Sequence, residues 1–188
     1  MVKNVFLTGP PGSGKTSILL EIIEMLKREG LNISGVICPE VRESGRRVGF
    51  KIVNIATGEE GVLAWVNPGF SGPRVGKYTV NLHDLDEVGS KTIEDSVDSP
   101  NVDVVVIDEI GIMELKSRRF AHAVMKALNS KKFVLGVIHR KSNHPLLVEV
   151  RSREDTKIFE VTRTLGRLQK EMLRDKIVKM VLEHAGKN

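Results

Sequence analysis

Gly9-Pro10-Pro11-Gly12-Ser13-Gly14-Lys15-Thr16 lies between the apolar run Val5-Phe6-Leu7 and a segment patterned as a helix. The eight residues match G-x-x-x-x-G-K-[ST], a phosphate-binding loop, in the strand-before, helix-after setting such a loop requires. Its glycines let successive backbone N–H groups turn inward on a polyphosphate, where a Cβ would block both the turn and the close approach. Lys15 then reaches the β- and γ-phosphates as a point charge, and the Thr16 hydroxyl is suited to a magnesium ion that keeps most of its waters. The helix that follows aims its partially positive N-terminus at the same anion.

Outward from the loop, strands and helices alternate. Asn4–Thr8 reads as a strand and Lys15–Glu29 as a helix closed by Gly30. Ile33–Cys38 is a second strand, followed by the polar turn Glu43-Ser44-Gly45-Arg46. Val48–Ile55 and Gly61–Val66 have the pattern of an antiparallel hairpin, and Lys77–Val80 adds a short strand, giving a β insertion over about residues 46–80. Leu82–Ser99 is helical with an interruption near Gly89, stopped by Ser99-Pro100-Asn101. Val102–Ile107, Phe133–Ile138 and Lys157–Val161 are further strands, with helices at Ser117–Asn129, Pro145–Arg151 and Leu165–His184. Runs as continuously apolar as Val104-Val105-Val106-Ile107 suit parallel strands covered on both faces. The pattern predicts an α/β fold of three layers, α/β/α, around a mostly parallel sheet, with ligands at the carboxyl ends of its strands. The loops after Leu7, Cys38, Ile107 and Ile138 are therefore expected to converge.

At 188 residues the chain fits one domain spanning 1–188. Apolar residues make up 40% and charged residues 28%, ordinary proportions that argue against disorder. No apolar run approaches the roughly 18 residues that span a bilayer, so no membrane association is expected, and the expected location is the cytoplasm. The lone Cys38 excludes an internal disulfide and a cysteine-based metal cluster, leaving a buried thiol on a strand as its expected role. His122 and His184 fall on helices without matching ligands, which gives no zinc pattern. A net charge of +5 and a pI near 9.4 raise the question of a nucleic-acid partner. Arg163, Arg167, Lys170 and Arg174 do form one stripe opposite Leu165, Leu168 and Met172, but the expected setting of that stripe is solvent. Aromatics at 4%, without basic interleaving, give single-strand binding little support, and the chain is expected to act as a monomer.

The second chemical motif is Val104-Val105-Val106-Ile107-Asp108-Glu109. A buried strand ending in an acid is what a magnesium site opposite the loop requires, and Asp108 takes that role with Thr16. Glu109, expected just beyond the strand end, is placed to orient a water in line with the γ-phosphate and accept its proton. Charge on the γ-oxygens in the transition state calls for a further cation, for which Arg42, Arg46, Arg47 and Arg140 are the candidates; Arg42 is taken as catalytic together with Lys15 and Glu109.

The loop, then Pro39-Glu40-Val41-Arg42-Glu43 leading into Gly45-Arg46-Arg47-Val48-Gly49-Phe50, then Val75-Gly76-Lys77-Tyr78, then Ile107-Asp108-Glu109-Ile110-Gly111 with Met113-Glu114-Leu115, resemble the thermophilic-type nucleoside-triphosphatase family over residues 4 to 163. The resemblance implies a RecA-like P-loop core that hydrolyses nucleoside triphosphates, ATP and GTP among them, to diphosphate and phosphate with magnesium and a loose choice of base. Two departures from that pattern stand out: Arg163-Thr164 where an Asn-Arg pair is expected, and Ile112 where a lysine is expected. A small nucleotide or nucleoside kinase uses a similar Gly-Pro-Pro-Gly loop, but it must exclude water and gains nothing from a carboxylate poised to activate one. A slow nucleotide-dependent switch that binds nucleic acid through the basic C-terminal helix is the alternative from another class; steep salt dependence of binding distinguishes it.

Overall fold

The computed structural model describes residues 1–187. Its strands are β1 (Asn4–Thr8), β2 (Ile33–Ile37), β3 (Glu40–Glu43), β4 (Arg46–Asn54), β5 (Glu60–Val66), β6 (Arg74–Val75), β7 (Tyr78–Val80), β8 (Val104–Ile110), β9 (Phe133–Ile138) and β10 (Thr156–Glu160). Its α-helices are α1 (Lys15–Arg28), α2 (Leu82–Asp84), α3 (Lys91–Asp98), α4 (Arg118–Asn129), α5 (Pro145–Ser152) and α6 (Arg167–His184). All ten strands belong to one sheet, in the order β10-β1-β9-β8-β2-β4-β5-β7-β6, with β3 paired to β4 off that path.

The first five strands of that order are mutually parallel. Val104 to Ile107 are all buried, as a strand sandwiched between helical layers must be. One face packs against α1 and α6 through Ile18, Leu19, Ile22, Leu26, Ile177 and Val181; the other carries Phe120, Val124 and Leu147 from α4 and α5. At the end of α1 the Gly30 N–H meets the Lys27 carbonyl and the Leu31 N–H the Leu26 carbonyl, at 3.0 and 3.1 Å. This is the Schellman closure that the left-handed conformation of Gly30 (φ 78°) permits.

From β2 outward the sheet turns antiparallel, so the β insertion extends the same sheet. Its first strand, β3, escaped the sequence reading because Glu-Val-Arg-Glu is polar on both faces: β3 is exposed and pairs only with β4 around the Ser44-Gly45 turn. The two-residue β6 was missed for the same want of an apolar pattern. The interruption near Gly89 takes the form of a π-helical segment, Leu85–Ser90, between α2 and α3. A Cβ on Gly89 would lie 2.4 Å from Ile52 Cδ1, so the wide turn passes tightly over β4.

Three further boundaries differ in ways that matter. β8 starts at Val104 and runs through Asp108 and Glu109 to Ile110, so Glu109 lies within the strand and not beyond its end. Cys38 stands just after β2, half-buried. The N-terminal half of α6 has the opposite phase to that expected: Leu168 and Met172 are 69% and 64% exposed, whereas Arg174 pairs with Glu21 of α1 and the Lys170 ammonium lies beside Gly14. Among the described residues no helix is long and apolar enough to cross a membrane.

Candidate active site

All four predicted loops meet in a cleft of about 960 Å³ at the carboxyl ends of the parallel strands. Its wall includes Gly9 to Thr16 apart from Ser13, then Cys38 to Glu40, Asp108 and Glu109, and Ile138 to Lys141; the insertion adds Arg47, Phe50, Leu63 and Val75. Gly9, Gly12 and Gly14 all have positive φ. A Cβ on Gly9 would fall 2.1 Å from the Val161 carbonyl oxygen, because the loop leaves β1 tightly against the end of β10. The Lys15 ammonium donates to the Gly9 and Pro10 carbonyls at 2.7 and 2.9 Å. Burial lowers its pKa, opposed by the Glu109 and Asp108 carboxylates.

In a regular strand consecutive residues point to opposite faces. Asp108 and Glu109 escape that rule through a register shift: Asp108 pairs with Val137 and Ile110 with Ile138, leaving Glu109 without a partner. Such a bulge re-aims side chains, and here both carboxylates line the cleft. The peptide bond between them is cis. Asp108 is 5% exposed and accepts a 3.4 Å hydrogen bond from the Thr16 hydroxyl. Burial, then the neighbouring Glu109, pushes its pKa up to about 7, against the Thr16 hydrogen bond and Lys15. Glu109 is raised by burial and held back by Lys15 and His139. A hydroxyl and a carboxylate meeting on the cleft floor form a hard-oxygen donor pair that fits a magnesium ion retaining several waters.

The candidate arginines separate. Arg42 curls back within its own hairpin, donating to Glu40 at 2.6 Å and to the Gly45 carbonyl at 3.0 Å, and neither it nor Arg46 lines the cleft. Arg47 and Arg140 do. Arg47 is fixed by Tyr78 Oη at 3.1 Å and Glu40 at 3.3 Å and lies 5.2 Å over the Phe50 ring; Arg140 pairs with Glu160 at 2.6 Å. Composition alone could not rank these arginines, because which guanidinium turns inward depends on the pairing of β3 with β4, whose register shifts between Val41 and Arg42.

Other groups had no sequence signal of their own. Glu114, 5% exposed, also lines the cleft, and burial followed by Glu109 raises its carboxyl well above the usual range. The Cys38 thiol accepts the Glu109 N–H and is raised chiefly by burial. His139 Nδ1 accepts the Lys141 and Ser142 N–H groups, while Arg151 ties the same loop from outside through the His139 and Ser142 carbonyls at 2.6 and 2.8 Å. Arg163, where the sequence departs from the resembled pattern, donates to the Pro11 carbonyl at 2.7 Å and so buttresses the phosphate loop.

The profile of a protein family described as NTPase matches residues 4–182. The chain belongs to the NTPase family. It is 42% identical to the nucleoside-triphosphatase THEP1 of Methanopyrus kandleri over 184 residues, 97% of each chain. It is 48% identical to that of Thermofilum pendens over 161 residues, 85% of this chain and 87% of the relative. Among solved structures it resembles a human cancer-related nucleoside triphosphatase, with a TM-score of 0.78 at 36% identity over 97% of this chain and 98% of the other. The THEP1 crystal structure from Aquifex aeolicus gives a TM-score of 0.78 at 27% identity, covering 95% and 98%. The three-layer α/β architecture with its mostly parallel sheet is that of these NTPases, and the chain is an enzyme of this class.

Proposed function

We propose that this NTPase hydrolyses nucleoside 5'-triphosphates to diphosphate and phosphate with Mg2+ held between Thr16 and Asp108, and with Glu109 as the general base. The observation that carries this reading is the meeting of Lys15 and Thr16 of the phosphate loop with Asp108 and Glu109 in one cleft. The backbone N–H groups of Gly9 to Thr16 and the Lys15 ammonium hold the polyphosphate. Glu109 orients a water towards the γ-phosphorus and takes its proton as the oxygen attacks, while the bond from phosphorus to the β,γ-bridging oxygen breaks. Thr16 and Asp108 would hold the magnesium ion, which would supply positive charge against the triphosphate. Arg47, preorganised by Tyr78 and Glu40, is the better placed of the arginines to stabilise the charge of the triphosphate, with Arg140 also lining the cleft. The unit acting is a single domain over residues 1–188, of which Asn188 lies outside the described residues, working as a monomer in the cytoplasm. Nucleic acid has no part in this reading, since Arg163 and Arg174 are engaged by the phosphate loop and α1.

Phosphate release from a panel of nucleoside triphosphates tests it. Lys15→Ala is expected to weaken triphosphate binding. Glu109→Ala is expected to keep binding and lose turnover by roughly 10²–10⁴. Native turnover in Glu109→Ala removes the base assignment; undiminished activity in excess EDTA removes the metal from Thr16 and Asp108.

A further inference from the structure

Pro10-Pro11-Gly12-Ser13, the tip of the phosphate loop, is a β-turn in which the Ser13 N–H donates to the Pro10 carbonyl at 3.3 Å. Proline at its second position holds φ at about −65°, and Gly12 at the third has φ 72°. That combination is a type II turn. A type I turn closes on the same hydrogen bond with its central peptide rotated by about half a turn, and glycine reaches either form without steric cost. The two forms differ in where the Pro11 carbonyl and the Gly12 N–H point.

Arg163, in the turn after β10, acts on that choice from outside the loop. Its Nη2 donates to the Pro11 carbonyl at 2.7 Å and its Nε to the same oxygen at 3.3 Å. The backbone holds it within reach: the Val161 N–H ties the end of β10 to the Thr8 carbonyl at 2.7 Å, and the Leu165 N–H closes on the Thr162 carbonyl at 3.3 Å. Pro11 and Gly12 line the cleft and Arg163 does not, so the guanidinium draws the Pro11 carbonyl away from the cleft. The Pro11–Gly12 bond is trans, so the Gly12 N–H points the opposite way, into the cleft. Pro10 and Pro11 carry no N–H and that of Ser13 is engaged in the turn, which leaves Gly12 as the donor this tip offers to a phosphate.

We propose that Arg163 is a positioning residue that holds the Pro11–Gly12 peptide in the orientation aiming the Gly12 N–H at the triphosphate. The inference rests on the loop holding the triphosphate as described above. Its effect falls on affinity, because a backbone N–H on a phosphate away from the reacting bond binds ground state and transition state alike.

The test measures affinity for a non-hydrolysable triphosphate analogue with magnesium, alongside steady-state hydrolysis, in Arg163→Met, Arg163→Lys, Gly12→Ala and the double variant of Arg163→Met with Gly12→Ala. Arg163→Met keeps the stem without a donor and weakens binding roughly tenfold, with kcat within about twofold of native. Arg163→Lys keeps a donor of similar reach and recovers most of the affinity. A Cβ on Gly12 meets nothing within 4 Å, so Gly12→Ala acts through its φ and disfavours the type II form. Adding Arg163→Met to it weakens binding by less than about twofold more, because both changes act on one peptide. Native affinity in Arg163→Met overturns the proposal. So does a Lys variant no tighter than Met, a loss in kcat alone, or a double variant in which the two losses multiply in full. Lys15→Ala keeps the two readings apart: native affinity there removes the triphosphate from the loop, whereas a weak Lys15→Ala with a full-affinity Arg163→Met removes only the positioning role.

Discussion

The two halves of the sheet hold their cleft residues by different means. In the parallel half, the loop, Asp108 and Glu109 grow from strands whose flanking residues Val5, Phe6, Leu7, Val106 and Ile107 are fully buried, so their placement is set by the core. In the antiparallel half, β3 is exposed and Arg47 depends on a small polar lattice of Tyr78, Glu40 and the Phe50 ring. Core packing resists single polar changes, whereas a lattice of a few hydrogen bonds is lost with one partner. Glu109 is thus held by the buried core of the parallel strands, and the inward Arg47 by a few side-chain contacts of the antiparallel strands.

The sharpest way to break that contrast is Arg47→Ala against Arg42→Ala. Arg47→Ala is expected to lower kcat by roughly a hundredfold, as loss of one preorganised charge donor does. Arg42→Ala, which loses only exposed contacts with Glu40 and the Gly45 carbonyl, leaves kcat within about twofold. Steady-state phosphate release reads both. The reverse ranking returns the catalytic charge to Arg42 and makes the Tyr78 and Glu40 contacts merely structural.

The same contrast explains what could be read from the chain before folding. β1, α1, β9 and the convergence of four loops were legible because apolar periodicity reports burial, and β1, β8 and β9 are almost wholly buried. β3 and β6 were not, because their residues form strands only by pairing with β4 and β7. Thr16, Asp108 and Glu109 were legible as a motif, yet the bulge that turns both acids into the cleft leaves no mark in Ile107-Asp108-Glu109-Ile110. Glu114 was quoted only as part of a family pattern; its burial against Glu109 is a product of the turn at Gly111.

Acid–base behaviour offers a second, smaller test, since the two kinds of carboxyl have opposite shifts. Hydrogen bonds from Arg119 to Glu94 and from Arg153 to Asp155 lower those pKa values, so their stabilisation is present above about pH 4 and lost as pH falls through the folded values. Glu114 and Asp108 are raised, chiefly by burial, so the folded state keeps protons that the unfolded chain releases above about pH 4. Stability in EDTA is therefore expected to fall as pH rises from 5 to 7, with a ceiling of about 1.4 kcal/mol per pH unit for each such group. Glu114→Gln cannot ionise and makes that slope shallower. Urea unfolding at pH 5, 6 and 7 measures it; an unchanged slope in the variant places the proton elsewhere than on Glu114.

The smallest effect is expected along α6, where one helix contains both regimes. Its C-terminal half buries Ile177, Val178 and Val181 against the α1 side of the sheet. Its N-terminal half turns Lys170 and Arg174 towards Gly14 and Glu21, the reverse of what an amphipathic reading of Leu165, Leu168 and Met172 implies. The phase follows from the helix as a whole: positions 170, 174, 177 and 181 share one stripe, and the buried lower half fixes the direction of the upper half. Leu168→Gln and Met172→Gln are therefore expected to change unfolding free energy by no more than about 0.5 kcal/mol, as exposed substitutions do. Ile177→Ala is the internal reference, a core truncation of the kind that costs roughly 2–5 kcal/mol. If Leu168→Gln cost as much as Ile177→Ala, the helix would have to be rotated by about half a turn. The Arg174–Glu21 pair and the approach of Lys170 to the phosphate loop would then be lost together, because a rigid helix cannot satisfy both phases at once.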